Sequence, residues 1–252
     1  MIPLRDANPT RRTPVVTIAL IALCVVAFAY ELGTQATGGE AGFERFLADW
    51  ALNPVHLTAA LGGEGSEGLT HQVATVFSSM FLHAGWIHLI GNMLYLWIFG
   101  NNVEDRFGRL RFLAFYLLGG VAAAAGQVAI DPSFDGPIIG ASGAIAAVLG
   151  AYIVLYPRAR ILTGVFFFFI TVIELPAVVV LGLWFVLQLF QGFSGLAADV
   201  NSGVAFFAHV GGFLFGVAVA LVFFRGRRRP AEPPGYSPPP GYSPLPDRPD
   251  VS

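Results

Sequence analysis

The chain is 252 residues long, 55% hydrophobic and only 12% charged, with a mean hydropathy of +0.67. A soluble domain of this length carries about twice that charged fraction, so a water-soluble globule is excluded and an all-α, multi-span membrane protein is expected. The net charge of −2 carries little information, and no nucleic-acid partner is expected; the lone Cys24, inside an apolar run, excludes a disulfide framework and a Cys-based zinc site.

In chain order, residues 1–14 read as a cytoplasmic lead-in carrying Arg5, Arg11 and Arg12. Six apolar stretches then approach the roughly 17–20 residues that a hydrocarbon core requires. They are Val15–Leu32, Trp86–Val103, Phe112–Ile130, Ile138–Tyr156, Ala177–Phe193 and Val204–Phe224. Between the first two lies a long outer segment, Gly33–Gly85, whose Phe43, Phe46, Leu47, Trp50, Ala51 and Leu52 suggest a folded hairpin resting on the membrane surface. Ile161–Ile173 is apolar but short and stops at Glu174 and Pro176. Arginine placement decides how to read it. With six spans, thirteen of the fourteen arginines fall on one side and only Arg45 on the other. That is the positive-inside pattern with both termini cytoplasmic, and counting Ile161–Ile173 as a span would break it. The segment is therefore expected to be interfacial or re-entrant. The first apolar run, with Arg11, Arg12 and Ala27-Phe28-Ala29, also imitates a cleavable signal peptide, which would leave five spans. Residues 225–252 combine an Arg cluster with a Pro-rich stretch, "PGYSP" occurring twice, and are expected to lie outside the fold. The span-bearing region is 15–224.

No Asp or Arg falls in a span interior, which argues against a proton-driven transporter, a voltage sensor or an intramembrane aspartyl protease. No H-E-x-x-H zinc motif occurs. What remains inside the spans is His88, Asn92, Ser142, Gln188 and His209. Spans two, four and six enter from the same side, and at about 1.5 Å of rise per residue His88, Asn92, Ser142 and His209 sit at one level, within about two turns of the surface. His88 and Asn92 are spaced i, i+4 and share a helix face. Ser142, Ala146 and Gly150 form one small-residue ridge, and His209, Gly212 and Gly216 another; such surfaces let helix backbones approach closely in lipid. Singly, Ser142 reads as helix-packing glue, His209 equally as a structural histidine, and Asn92 and Gln188 as interhelical hydrogen bonds or gap lining. Jointly, a hydroxyl and an imidazole within hydrogen-bond reach make a nucleophile and a general base. His83 is expected to order the loop before the second span, and His56 and His71 to be solvated. His83 and His88 lack a third ligand, so neither metal nor cofactor is expected.

"FLHAGWIHLIGNM" (Phe81–Met93), "VEDRFG" (Val103–Gly108), "GASGA" (Gly140–Ala144) and "AHVGGFLFG" (Ala208–Gly216) together resemble the rhomboid intramembrane serine proteases, in the same order and over about Val15–Phe224. The resemblance implies a six-span rhomboid-like bundle with Ser142 as nucleophile and His209 as general base. It further implies an oxyanion site from the His88 and Asn92 side chains and the Ser142 backbone N–H, and a structural polar pair, Glu104 and Arg106. Transmembrane protein substrates, cut near the outer end of their helices, would be the partners, in a cell membrane of the bacterial inner-membrane type. With no carboxylate near His209, a Ser–His dyad fits better than a triad and predicts a slow enzyme. The chain departs from the family in having Ala146 where some members carry a Tyr one turn after the serine, and Ala74-Thr75 in place of a Trp-Arg pair. The rival readings are a catalytically silent relative that binds transmembrane helices for quality control and, third, a transporter or channel.

Overall fold

The first apolar run forms the longest helix of the computed structural model, which describes residues 1–64, 68–166, 170–198 and 205–224. This helix, α1 (Val15–Trp50), does not end at Leu32 as expected but runs on to Gly38, breaks at Gly39 and resumes as far as Trp50. The hydroxyls of Thr34 and Thr37 donate to the carbonyls of Tyr30 and Gly33 one turn below, so polar residues beyond Leu32 are accommodated without leaving the helix. A kink comes at Gly39, whose φ of 61° suits a residue with no Cβ. The region 33–85 thus begins with a helical hairpin: the chain reverses at Gly39, so that the Phe46 ring comes 5.8 Å from that of Tyr30 and a Cβ at Gly42 would stand 3.7 Å from the Thr34 carbonyl oxygen, and two short helices follow. These are α2 (Pro54–Leu61), capped by the Asn53 side chain at Val55 N (3.0 Å), and α3 (Leu69–Ser78).

The chain turns through Ser79–Gly85 into α4 (Trp86–Tyr95), which continues through a π-turn (Leu96–Gly100) into α5 (Asn101–Phe107). Then follow α6 (Arg109–Ile130), α7 (Ser142–Leu155), α8 (Ala177–Ala198) and α9 (Phe206–Val219), the last extended by a π-turn to Phe224. Four of the described helices are long and apolar enough to cross a membrane: α1, α6, α8 and α9 with its extension. Leu69–Phe81 and Trp86–Phe107, bent by 83° at their junction, would make a fifth span if taken together. At 14 residues α7 is shorter than a full span, and it lies enclosed by the others, its residues Ala144–Tyr152 all buried.

What lets α7 sit there is its lack of side-chain bulk. A Cβ added at Gly216 would overlap the Ala147 carbonyl, at Gly212 the Gly143 carbonyl, and at Gly150 the Phe213 carbonyl. Both predicted ridges therefore meet backbone to backbone, with Ala146 fully buried between them and 3.4 Å from where a Gly212 Cβ would stand. On the other side Gly126 and Gly211 bring α6 against α9 in the same way.

The fold is not wholly helical. Ile161–Ile173, expected as an interfacial or re-entrant piece, forms β2 (Arg160–Phe166) and β3 (Ile170–Pro176), and β1 (Ile2–Asp6) adds to β2, giving an antiparallel sheet of order β1-β2-β3. The run is rich in Ile, Val, Thr and Phe, which pack well on a pleated surface, and its length suits a hairpin rather than a helical crossing. The lead-in 1–14 is accordingly part of the fold. The Arg225–Arg229 cluster and the Pro-rich tail lie outside the described residues.

Glu104 and Arg106, expected as a polar pair, each serve a different helix end. The buried Glu104 carboxylate accepts from Val16 N (3.0 Å), Thr17 N (2.7 Å) and Thr17 Oγ1 (2.8 Å), capping α1, which has no cap of its own. Arg106 Nη2 donates to the carbonyl of Phe224 (3.3 Å) beyond α9. Beside them, Asp6 Oδ2 accepts from Asn102 Nδ2 (2.7 Å) and Tyr152 OH (2.8 Å), fastening β1 to the bundle.

Burial pushes the Asp6 carboxyl up to about 7, its hydrogen bonds offsetting only part of the desolvation. Between about pH 4 and pH 7 the folded chain keeps this proton while the unfolded chain gives it up, so stability falls as pH rises through that window and is level above it. Asp6→Asn removes the titration. Thermal unfolding in detergent across this range is expected to show the wild type losing ground to Asp6→Asn on going from pH 4 to pH 7; a constant difference would contradict the burial argument.

Candidate active site

Ser142 is the first residue of α7, and the segment leading to it is held on both sides. Leu52 and Ile138 exchange backbone hydrogen bonds (Leu52 N to Ile138 O, 3.2 Å; Ile138 N to Leu52 O, 2.7 Å), and Gly140 N donates to Ser79 O (2.8 Å). Gly140 has φ of 125°, and a Cβ there would stand 2.7 Å from Cε1 and Nε2 of His88. Glycine is required twice over, by its dihedral and by the close approach of His88 and Asn92 to this backbone. At the start of α7, the Ser142 N–H belongs to the first-turn donors that have no intrahelical carbonyl to bind.

The helix ridges bring α9 alongside, and His209 Nε2 lies 2.7 Å from Ser142 Oγ. His209 Nδ1 lies 2.9 Å from Gln188 Oε1 on α8, and the Trp184 ring, one turn earlier on α8, is 5.9 Å from the imidazole. His88 and Asn92, from α4, line the same cavity as Ser142. His88 Nδ1 accepts from Ala84 N (3.4 Å), a bond that puts the ring proton of a neutral imidazole on Nε2, towards Gly140. Asn92 is buried, and its Nδ2 has no hydrogen-bond partner among the described residues. A buried amide donor left unpaired is costly, and this one is free to donate to a group entering the cavity.

These side chains open on a cavity of about 730 Å³ whose other walls are largely apolar, including Phe43 and Leu47 from the part of α1 that folds back after Gly39, Leu52, Ile139 and Trp184. The cavity can exclude bulk lipid around the hydroxyl while offering polar groups at one end. His83 has the expected loop role: its backbone N–H is shared between both carboxylate oxygens of buried Glu31 (3.2 Å each), and its ring stands edge-on to His88 at 5.1 Å. Among the described residues no three His, Cys, Asp or Glu side chains are grouped so as to hold a metal ion.

Four residues singled out from the sequence, Ser142, His209, His88 and Asn92, thus converge on one cavity, and Gln188 joins them. Sequence reasoning read Gln188 as an interhelical hydrogen bond or gap lining without naming its partner, and it makes such a bond, to His209. Its signal was available only in part, as an amide one turn beyond Trp184 on the face of the fifth apolar stretch, since nothing local says that this face meets His209.

The fold and site define a mostly helical membrane protein with a hydroxyl–imidazole pair at the half-buried start of a short central helix. The Rhomboid domain family model matches residues 70–226, well over half of the chain, and the chain belongs to the rhomboid family. It is 29% identical over 190 residues to RHOMBOID-like protein 1 of Arabidopsis thaliana, covering 73% of this chain and 44% of that protein. It is 35% identical over 151 residues to Presenilin-associated rhomboid-like protein A, mitochondrial, of Danio rerio (55% and 34%). Rhomboid protein 1, mitochondrial, of Saccharomyces cerevisiae is 34% identical over 96 residues (36% and 28%). The chain spans less than half the length of each of these relatives.

Proposed function

We propose that this rhomboid-family protein is an intramembrane serine endopeptidase that cleaves single-span membrane proteins near the outer end of their transmembrane helix. The observation that carries the reading is the 2.7 Å contact between Ser142 Oγ and His209 Nε2 at the N-terminus of α7, inside a polar-ended cavity. In this mechanism His209 Nε2 takes the hydroxyl proton as Ser142 Oγ bonds to the scissile carbonyl carbon. The oxyanion that forms accepts hydrogen bonds from the Ser142 N–H, Asn92 Nδ2 and His88 Nε2, assisted by the positive end of α7. Collapse breaks the C–N bond, and the imidazolium returns the proton to the leaving amine. Water then adds to the acyl-serine with His209 again as base, releasing the new carboxyl terminus and restoring the hydroxyl.

Six spans with both termini cytoplasmic, in a cell membrane of the bacterial inner-membrane type, complete the proposal; the arginine asymmetry supports the orientation. On that topology the Ser142 end of α7 faces the outer aqueous phase, which supplies water. The substrate must present an extended peptide there, so Gly and other weak helix formers near the cut favour cleavage.

A fluorophosphonate probe tests this directly. Labelling of the purified wild type is expected, with none in Ser142→Ala and a loss of at least about 100-fold in rate in His209→Ala. An unlabelled wild type that still binds single-span helices would instead identify the silent, helix-binding relative.

A further inference from the structure

We propose that Gln188 is a positioning residue for His209: its amide oxygen accepts the Nδ1 proton and holds the imidazole in the tautomer whose Nε2 lone pair faces Ser142. The inference rests on the reading of Ser142 and His209 given above and adds a member to it.

A neutral imidazole carries one ring proton, so what binds one nitrogen decides what the other can do. With Gln188 Oε1 at 2.9 Å from Nδ1, the proton sits on Nδ1 and Nε2 is left to accept from Ser142 Oγ at 2.7 Å. The reversed amide would turn its NH₂ towards Nδ1, move the ring proton to Nε2 and aim a donor at the hydroxyl, leaving no base. A carboxylate usually makes this choice; here none occurs in α7, α8 or α9. The amide selects the tautomer without placing a charge among apolar helices, and it stabilises the imidazolium less than a carboxylate does.

The surroundings support a dedicated contact. The position one turn after Ser142 is Ala146, whose methyl is too small to hold the ring in place. Orientation comes instead from α8. Trp184, one turn before Gln188, lies 5.9 Å from the His209 ring and 6.1 Å from that of Phe213, one turn after His209. Phe185 stacks on Phe213 at 4.4 Å. These aromatic contacts lock α8 to α9 in the register that sets Gln188 opposite His209.

The test compares Gln188→Met, which keeps the volume and loses the acceptor, with Gln188→Glu, which keeps an acceptor at the same reach. Cleavage is followed on a fluorescent single-span peptide with Gly-Ala at the outer end of its helix. In Gln188→Met, kcat is expected to fall about ten- to a hundredfold with KM unchanged, while Gln188→Glu stays within about threefold of wild type. Wild-type kcat in Gln188→Met overturns the inference, and so does an equal loss in both variants, which would mean that shape rather than the acceptor matters. A second readout is independent of turnover. In ¹⁵N-histidine-labelled protein, with His209 assigned by its replacement, Nδ1 is expected to be the protonated nitrogen in wild type, and that preference to weaken in Gln188→Met. Protonated Nε2 in the wild type refutes the inference even if the enzyme is active. If the peptide is not cut by the wild type, the endopeptidase reading fails and the tautomer still decides the role of Gln188.

Discussion

Replacing Ser142 by alanine is expected to bring cleavage of a single-span reporter down by at least about 10³-fold, to background, without unfolding the protein. The loss is large because, among the described residues, no other hydroxyl bonds to His209; the imidazole's two nitrogens face Ser142 and Gln188. The oxyanion donors His88 and Asn92 would remain, but without a nucleophile they have no tetrahedral intermediate to stabilise. Stability should barely move, since the substitution removes one half-buried hydrogen bond, worth about 1 kcal/mol, at a helix end that borders a cavity. Paired measurements of reporter cleavage and thermal unfolding check both halves of this expectation. Substantial residual cleavage in a folded Ser142→Ala protein would remove Ser142 from the mechanism.

Gly216→Val should be the most damaging single change to the fold. Any Cβ at this position overlaps the carbonyl of Ala147 on the neighbouring helix, and the obstruction is backbone that cannot change rotamer. Relief requires α9 to move away from α7, giving up contact along both ridges. A destabilisation of about 3 kcal/mol is expected, at the upper end for overpacking. His209 lies two turns from Gly216 on α9, so the same displacement lengthens its contact with Ser142 and cleavage should fall with stability. Gly182→Ala is the control: it sits in α8 with nothing near its Cβ position, and alanine there should be neutral or mildly stabilising. Denaturation in mixed micelles checks the pair; if the two variants lose equal stability, backbone contact does not account for the packing of α7 on α9.

Much of the site was legible before any coordinates because its parts obey local rules. Depth follows from counting residues into parallel apolar stretches, which put Ser142, His209, His88 and Asn92 at one level. The ridges follow from helical periodicity, and the close approach they predict is found at Gly150, Gly212 and Gly216. Other features depend on residues far apart in the chain and had no local signature. Glu104 caps α1 across 87 residues, and Asp6 meets Tyr152 across 146. Gln188 meets His209 only because aromatic contacts set the register of α8 on α9. The strand pair at Ile161–Ile173 was missed because a short apolar run has no periodicity that separates a buried strand from a helix segment.

By itself, then, the amino-acid sequence determined that this is a membrane protein of several apolar helices, which polar side chains lie within them, and which faces are bare enough to let two helices touch. These are properties of composition and spacing, and they hold for any way the helices pack. The tertiary structure alone decided that α7 is short and enclosed, that β1 closes a sheet with β2 and β3, and that the partner of His209 Nδ1 is an amide on α8. Each of these depends on relative position across long stretches of chain, where a shift of one helical turn would leave the pattern of residues unchanged and the contacts gone.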